Sequence, residues 1–257
     1  MRRGLTPNRE NARARIADGR VLVKGAPADK PARLVRADEP IEVVGPPPRF
    51  VGRGGEKLDA ALRRFSVEVG GRRALDAGAS TGGFTDCLLQ RGAAAVVAVD
   101  VGYGQLHERL RCDGRVTVLE RTNVRTLDLD PPADVVVADL SFISLTVAAP
   151  ALVGRNAAPG ADVVVLVKPQ FEAGRAEASR GRGVIRDPDV WLRALEAVRA
   201  AFERHGAAIM GAMVSPLRGA DGNVEFLAHL LAHAAPRPQA SVDLPALVAE
   251  AAGASFA

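Results

Sequence analysis

The sequence predicts an α/β protein: a doubly wound, mostly parallel sheet with an antiparallel edge strand, preceded by a small α+β module. Three observations carry this expectation. Strand-length apolar runs alternate with helix-length segments over most of the chain. Apolar residues make up 47% of the 257 residues but aromatic residues only 4%, so the core is built from Ala, Val and Leu, as a sheet buried on both faces requires. Three consecutive prolines, Pro46-Pro47-Pro48, can continue neither a helix nor a central strand, so a stiff connector separates two segments. The chain divides into a module at 1–45, a linker at 46–52, a main domain at 53–235 and an Ala/Pro-rich tail at 236–257, read as irregular or as a short helix.

In the first module Thr6 can cap a helix with Pro7 at its first position, running from Asn8 to Asp18 and ending at Gly19. Arg9 and Arg13 share one face of it, and Ala12 and Ile16 give it an apolar face. Strands follow at Val21–Lys24 and Ile41–Val44. Residues 1–57 hold 13 Lys or Arg against 7 Asp or Glu, a net +6; the whole chain carries +4, so the remaining 200 residues carry −2. This asymmetry points to a polyanionic partner for the N-terminal end, with Arg2, Arg3, Arg9, Arg13, Arg20 and Lys24 as the candidate contacts. A solvated basic face accounts for the same charge.

In the main domain strands are expected at Ala74–Asp76, Ala95–Asp100, Val116–Leu119, Asp134–Asp139, Asp162–Lys168, Ala207–Val214 and Val224–Leu230. Helices fit near Phe84–Arg91, Gln105–Arg111, Leu145–Val153 and Pro188–His205. The last two strands are joined by a short Pro/Gly loop without a helix, which makes them an antiparallel pair at the sheet edge.

The strongest local signal is the run from Leu75 to Thr85. A strand ends at Asp76, a glycine-rich turn follows (Gly78, Ser80, Thr81, Gly82, Gly83), and a helix opens at Phe84. Glycines let the backbone approach a ligand, and the helix start offers free N–H groups. The spacing fails the G-x-G-x-x-G dinucleotide pattern and lacks the Gly-Lys-Ser/Thr of a phosphate loop. An Asp on the strand instead suits a ligand with a cationic amino-acid end, such as S-adenosylmethionine. The next strand ends in Asp100, 24 residues on, where a carboxylate can accept both hydroxyls of an adenosine ribose. An ordinary strand–helix turn at 76–84, and an Asp100 that merely caps the turn after it, are the plain alternatives. Two further apolar strands end in Asp139 and Lys168, where a carboxylate and an ammonium can pair inside the ligand crevice, for catalysis or as a structural salt bridge.

The whole chain resembles the TlyA-type (haemolysin-A-like) ribosomal RNA methyltransferases, which join an S4-type RNA-binding module to an FtsJ-like methyltransferase domain of Rossmann-like fold. The resemblance is carried by Arg53-Gly54-Gly55-Glu56-Lys57-Leu58, Leu75 to Thr85, Asp100 to Leu106, Glu120-Arg121-Thr122-Asn123, Ala138 to Ser144, Val167 to Phe171 and Gly222-Asn223-Val224-Glu225-Phe226. The first module departs from the S4-type pattern in its short start, since only Arg2 to Leu5 precede the Thr-Pro cap. The resemblance implies a catalytic Lys-Asp-Lys-Glu set at Lys57, Asp139, Lys168 and Glu225. It adds Asn123 and Asp139 to the cofactor residues and makes a cytidine 2′-hydroxyl of ribosomal RNA the substrate. It implies no metal.

Other classes fit less well. Cys87 and Cys112 have neither disulfide-scaffold nor zinc-site spacing, and together with the lack of a signal segment they suit a reducing cytoplasm. No apolar run reaches membrane-spanning length, against a membrane-active haemolysin. Asp139-Leu140-Ser141-Phe142 lacks the proline pair of the (D/N)-P-P-(Y/F) turn that marks amine methylation. A non-catalytic RNA-binding protein would have no use for the four-residue set.

Overall fold

The protein is described by a computed structural model covering residues 3, 5–6, 9–17, 19–46, 48–174, 177, 181, 183–233 and 242–253. It forms two compact units, residues 1–53 and 54–257.

The first unit holds a helix, α1 (Arg9–Ala17), and three short strands, β1 (Val21–Val23), β2 (Ala26–Pro27) and β3 (Ile41–Val43). The sheet order is β2-β1-β3, all antiparallel. β2 was not expected from the sequence: it is two residues long and reached by a tight reversal in which Lys24 and Gly25 both take positive φ (52° and 77°). Val21, Val23 and Ala28 form the small core, with Ile16, Ile41 and Val43 packed against it. The expected helix ends at Pro7, Asn8 and Asp18 lie outside the described residues.

The second unit is a seven-stranded sheet. Its strands are β4 (Arg73–Ala77), β5 (Ala95–Val99), β6 (Val116–Leu119), β7 (Ala133–Ala138), β8 (Ala157–Val167), β9 (Ala208–Val214) and β10 (Phe226–Leu231), in the order β6-β5-β4-β7-β8-β10-β9. The first five are parallel; β10 runs antiparallel to both β8 and β9. The expected antiparallel pair is therefore at the edge, and its reversed member is the inner strand. β7, β10 and the second half of β8 are almost wholly buried, which is why β7 and Val163–Val167 of β8 carry apolar runs of Val and Leu.

The helices are α2 (Gly54–Arg64), α3 (Gly83–Gln90), α4 (Glu108–Arg111), α5 (Leu145–Ala149), α6 (Pro169–Glu172), α7 (Pro188–Arg204) and α8 (Leu244–Gly253). Asp187 caps α7, accepting from Asp189 N–H, and Pro188 sits at its first position. α5 runs into a π-helical stretch at Pro150–Arg155, whose proline cannot donate to the preceding turn. α2 is not expected from sequence, because it opens on Gly54-Gly55, poor helix formers. Tertiary packing overrides that: Leu58, Ala61 and Leu62 form a stripe buried against α3, and the buried Asp59 accepts from Arg91 of the residue following α3 at 2.7 Å.

Residues 244–253, read from sequence as part of a tail, are built into the domain; residues 236–241 lie outside the described ones. Leu244, Leu247, Val248 and Ala251 recur at helical spacing and bury against α7 and β9. Leu244→Ala should therefore cost about 2–5 kcal/mol, the range for a leucine emptied from a packed core. Urea denaturation reads this directly, and an unchanged midpoint would mean that α8 is a dispensable appendage.

Candidate active site

Charged side chains converge on one edge of the sheet. Asp76 lies one residue before the end of β4, and Asp100, Asp139 and Lys168 immediately follow β5, β7 and β8. These strands are parallel, so all four groups sit at the carboxyl edge, where open α/β sheets bind ligands. β10 runs the other way, so its leading end reaches the same edge. Phe226 pairs with Val167, which sets Glu225 in register opposite Lys168. α2 adds Lys57 from its buried face.

Two ion pairs result. Lys57 Nζ donates to Glu225 Oε2 at 2.5 Å, with both residues buried. Lys168 Nζ stands 2.5 Å from Asp139 Oδ1 and donates to Ser141 Oγ at 2.9 Å. An unpaired buried charge costs several kcal/mol, so each ammonium holds its carboxylate in place as much as the reverse. The four residues of the expected catalytic set thus stand as two ion pairs, Lys57–Glu225 buried and Lys168–Asp139 partly exposed through Asp139.

A cleft of about 560 Å³ adjoins them, with Gly78, Ser80, Asp100, Gln105, Asn123, Asp139, Ser141 and Phe142 among its lining residues. Gly78 has φ 89°, and a Cβ there would stand 2.5 Å from the carbonyl oxygen of Asp139, so only glycine lets the first turn lie against that residue. Asp100 is held by two backbone amides: Ser80 N–H donates to Oδ2 at 2.8 Å and Gly102 N–H to Oδ1 at 2.7 Å. Each oxygen keeps a further lone pair for a ligand hydroxyl.

Asp76 is wholly buried. Its Oδ2 accepts from Thr85 Oγ1 at 2.6 Å, and Oδ1 has no hydrogen-bond partner. Burial pushes the carboxyl up to about 7; the Thr85 hydrogen bonds oppose this, while the charges of Asp139 and Asp100 add to it. An orphaned acceptor of this kind fits a ligand that brings an ammonium group.

Not every expected cofactor residue reaches the cleft. Gly78, Ser80, Asp100, Asn123 and Asp139 line it; Asp76, wholly buried behind the turn, and Thr81, Gly82, Gly83 and Phe84 do not. Gly82 caps α3 at φ 97°, in a space where a Cβ would meet Leu110 Cδ1 at 2.2 Å. Phe84 is buried with its ring against Gly54 at the start of α2. Thr81 accepts His107 N–H through its carbonyl at 3.2 Å. Asn123 also caps a short 3₁₀ turn, accepting from Arg125 N–H at 3.0 Å.

Four contributors escaped the sequence reading. Ser141 binds Lys168 across two connections 27 residues apart, which no local pattern reveals. Gln105 and Thr85 are equally silent in sequence; Thr85 lies in the first turn of α3, where side chains reach back to the preceding strand. Phe142 is 92% exposed, adopts a left-handed backbone (φ 64°), and stands 5.3 Å from the Phe171 ring.

Within the first unit, the candidate cations divide. Arg3 is spent on the carbonyl oxygens of Glu39, Arg36 and Ala37 at 2.5, 2.7 and 2.9 Å. Lys24 pairs with Glu39 at 3.0 Å. Arg20 is half-buried with its guanidinium against Gly45, whereas Arg13 is exposed. Arg2 and the Arg9 side chain lie outside the described residues.

A parallel sheet with a reversed penultimate strand, a glycine turn after its first strand and a carboxylate after its second defines the Rossmann-like methyltransferases. The sequence comparisons agree. The FtsJ-like methyltransferase family matches residues 50–231, and the chain belongs to that family. It is 51% identical over 230 residues to the 16S/23S rRNA (cytidine-2'-O)-methyltransferase TlyA of Mycobacterium tuberculosis, covering 88% of this chain and 85% of that protein. It is 39% identical to Hemolysin A of Brachyspira hyodysenteriae, covering 89% and 95%. Among solved structures, "Putative hemolysin from Streptococcus thermophilus" superposes with a TM-score of 0.80 at 37% identity, covering 96% of this chain and 92% of that one.

The raised Asp76 carboxyl has a measurable consequence. In the ligand-free fold it titrates near 7, against 3.8 when unperturbed, so between these values the native state holds a proton that the unfolded chain has released. Stability from this group is then present below about pH 4, declines through the interval and is gone above about 7. Asp76→Asn should stabilise the ligand-free protein at pH 8 and leave it unchanged near pH 4. Urea curves of the two proteins that stay parallel across this range would show that Asp76 ionises without penalty.

Proposed function

We propose that this chain transfers a methyl group from S-adenosylmethionine to a ribose 2′-hydroxyl of ribosomal RNA, with cytidine as the target nucleoside. The observation that carries this reading is the two lysine–carboxylate bridges, Lys57–Glu225 buried and Lys168–Asp139 half-buried, at the edge of a cleft lined by Gly78, Ser80 and Asp100. The cofactor would be held by Asp76 Oδ1 at its ammonium, by Asp100 at its ribose hydroxyls, and by the Gly78–Ser80 backbone and Asn123 along the cleft. Bound there, S-adenosylmethionine supplies an electrophilic methyl carbon.

The chain's own residues do the rest. A 2′-hydroxyl is a weak nucleophile and must shed its proton as it attacks. Lys168, fixed by Asp139 and Ser141, orients that hydroxyl, and the Lys168–Asp139 pair receives the proton. Lys57, fixed by Glu225, keeps a second cation in the same buried edge. Alignment of oxygen, methyl carbon and sulfur supplies most of the remaining acceleration. The exposed ring of Phe142 at the cleft offers a stacking face to an unpaired base.

The N-terminal unit serves in this reading as an S4-like module that positions RNA, and a ribosomal RNA substrate puts the reaction in the cytoplasm. A membrane-active role, suggested by the haemolysin names among the relatives, has no support in the helices: none among the described residues is long and apolar enough to cross a membrane.

Lys168→Ala should lower single-turnover methylation of a ribosomal RNA fragment by roughly 10²-fold while leaving cofactor affinity intact, the scale for losing a proton-transfer group. Lys168→Arg should fail to restore the rate, because a guanidinium does not take up a proton. Near-normal turnover by the alanine variant would end this assignment; strong rescue by arginine would leave Lys168 an orienting cation only.

Because Arg13 is exposed while Lys24 is already paired, Arg13→Glu should weaken RNA binding and reduce its salt dependence by about one counterion, and Lys24→Ala should do less. Equal affinities and equal salt slopes for wild type and Arg13→Glu would reduce the basic helix to a solvated surface.

A further inference from the structure

The loop between β9 and β10 contains a glycine that neither cofactor binding nor the lysine pairs explains. Gly219 is not in the left-handed region, so its backbone alone would admit alanine. Its side-chain position is nevertheless closed: a Cβ there would stand 2.6 Å from Glu225 Oε1 and 3.3 Å from Glu225 Cδ. The carboxylate that holds Lys57 therefore rests directly on the Gly219 backbone.

Hydrogen bonds fix that backbone. Gly219 N–H donates to Asn223 O at 2.9 Å, and Gly222 N–H donates back to Gly219 O at 2.9 Å. Asn223 is buried with both ends of its amide used: Oδ1 accepts from Ile185 N–H at 2.9 Å and Nδ2 donates to Gly183 O at 2.8 Å. Asn223 and Glu225 are two apart in an extended segment, so their side chains share one face. The turn is thereby tied to the approach to α7, and Glu225 is confined between it and Lys57.

We infer that the Gly219–Asn223 turn is a brace that sets the Glu225 carboxylate on Lys57, with Gly219 as a positioning residue that touches no substrate. The inference rests on the reading of Lys57 and Glu225 as part of the catalytic set. Adding one methyl group at 219 should displace the Glu225 carboxylate, while the cleft lining, which includes no residue of this turn, stays as it is.

The test is Gly219→Ala in wild-type and Glu225→Asp backgrounds, with three readouts. A crystal structure of Gly219→Ala should show the Glu225 carboxylate beyond 4 Å from Lys57 Nζ. Single-turnover methylation should fall by about tenfold or more, the scale of a small misplacement in a preorganised site, with calorimetric S-adenosylmethionine affinity unchanged. In the Glu225→Asp background, where the carboxylate is one methylene shorter, the same substitution should cost little, because coupled residues are non-additive. If Gly219→Ala alone is insoluble, the Glu225→Asp background should restore folding. An undisturbed Lys57–Glu225 bridge in the crystal, an equal loss of rate in both backgrounds, or insolubility in both would overturn the brace. A displaced carboxylate with a wild-type methylation rate would keep the brace and remove Lys57–Glu225 from catalysis.

Discussion

Two ammonium groups and two carboxylates, three of the four groups buried and Asp139 half-buried, gather at the carboxyl edge of one sheet and must neutralise one another. Much of the domain's layout meets that requirement. Parallel strands bring Asp139 and Lys168 to the edge side by side, because β7 and β8 are neighbours and both end there. A parallel strand entering at Glu225 would put it at the opposite edge. Reversing β10 brings its start to the same edge, with Phe226 paired to Val167 and Glu225, just before it, opposite Lys168. Lys57 comes from a helix that precedes the sheet and opens on Gly54, whose lack of a side chain lets it lie close to the Phe84 ring and near Asp139. The antiparallel strand and the glycine-opened helix are thus requirements of the charge arrangement.

How legible this was depended on whether a feature is written in local periodicity. The parallel strands were readable because burial on both faces leaves uninterrupted Val and Leu, as in Val163–Val167. The turn after β4 was readable because glycines cluster where backbone must pass close to backbone, and Gly78 lies against the Asp139 carbonyl. α2 was not readable, since Gly54 and Gly55 contradict helix propensity and the helix is held by Asp59–Arg91 and by packing on α3. α8 was masked by an Ala/Pro-rich neighbourhood, although Leu244, Leu247 and Val248 carry the right spacing. The full length of β8 was hidden by Pro159 and Gly160, which lie in an irregular stretch where its register with β7 shifts. Within the site, family resemblance supplied the four charged residues. The Asp139–Lys168 pair was also readable from the charged ends of two apolar strands, whereas the Lys57–Glu225 contact spans 168 residues and carries no local sequence signal.

The cofactor wall carries features that cost stability in the ligand-free fold. Asp76 is buried with an unfilled acceptor, and Ser80 and Phe142 hold left-handed backbone angles that non-glycine residues rarely adopt. Such outliers persist where surrounding structure over-determines them, and Ser80 and Phe142 both line the cleft. Asp76 makes the logic explicit. A carboxylate satisfied by a protein cation would need no ligand, whereas one satisfied only by Thr85 gains most when a positive group arrives. Filling that position from within the chain would stabilise the empty protein and weaken its grip on a cationic ligand.

The same reasoning separates the two lysines. Lys168 shares its ammonium between Asp139 and a hydroxyl, Ser141, and its neighbours line the cleft, so an incoming hydroxyl can take the place of a contact already present. Lys57 is bonded to a carboxylate that is itself backed by the chain at Gly219. One pair is arranged for exchange with a substrate, the other for rigidity. A buried pair loses far more when one member is removed than it contributes as a whole, because the survivor is left as an uncompensated charge. Damage to either member of the rigid pair therefore spreads along the shared edge. In the proposed reading, a site built from two such pairs would fail as a unit, which ties the role of Lys168 to the Gly219 turn behind Glu225.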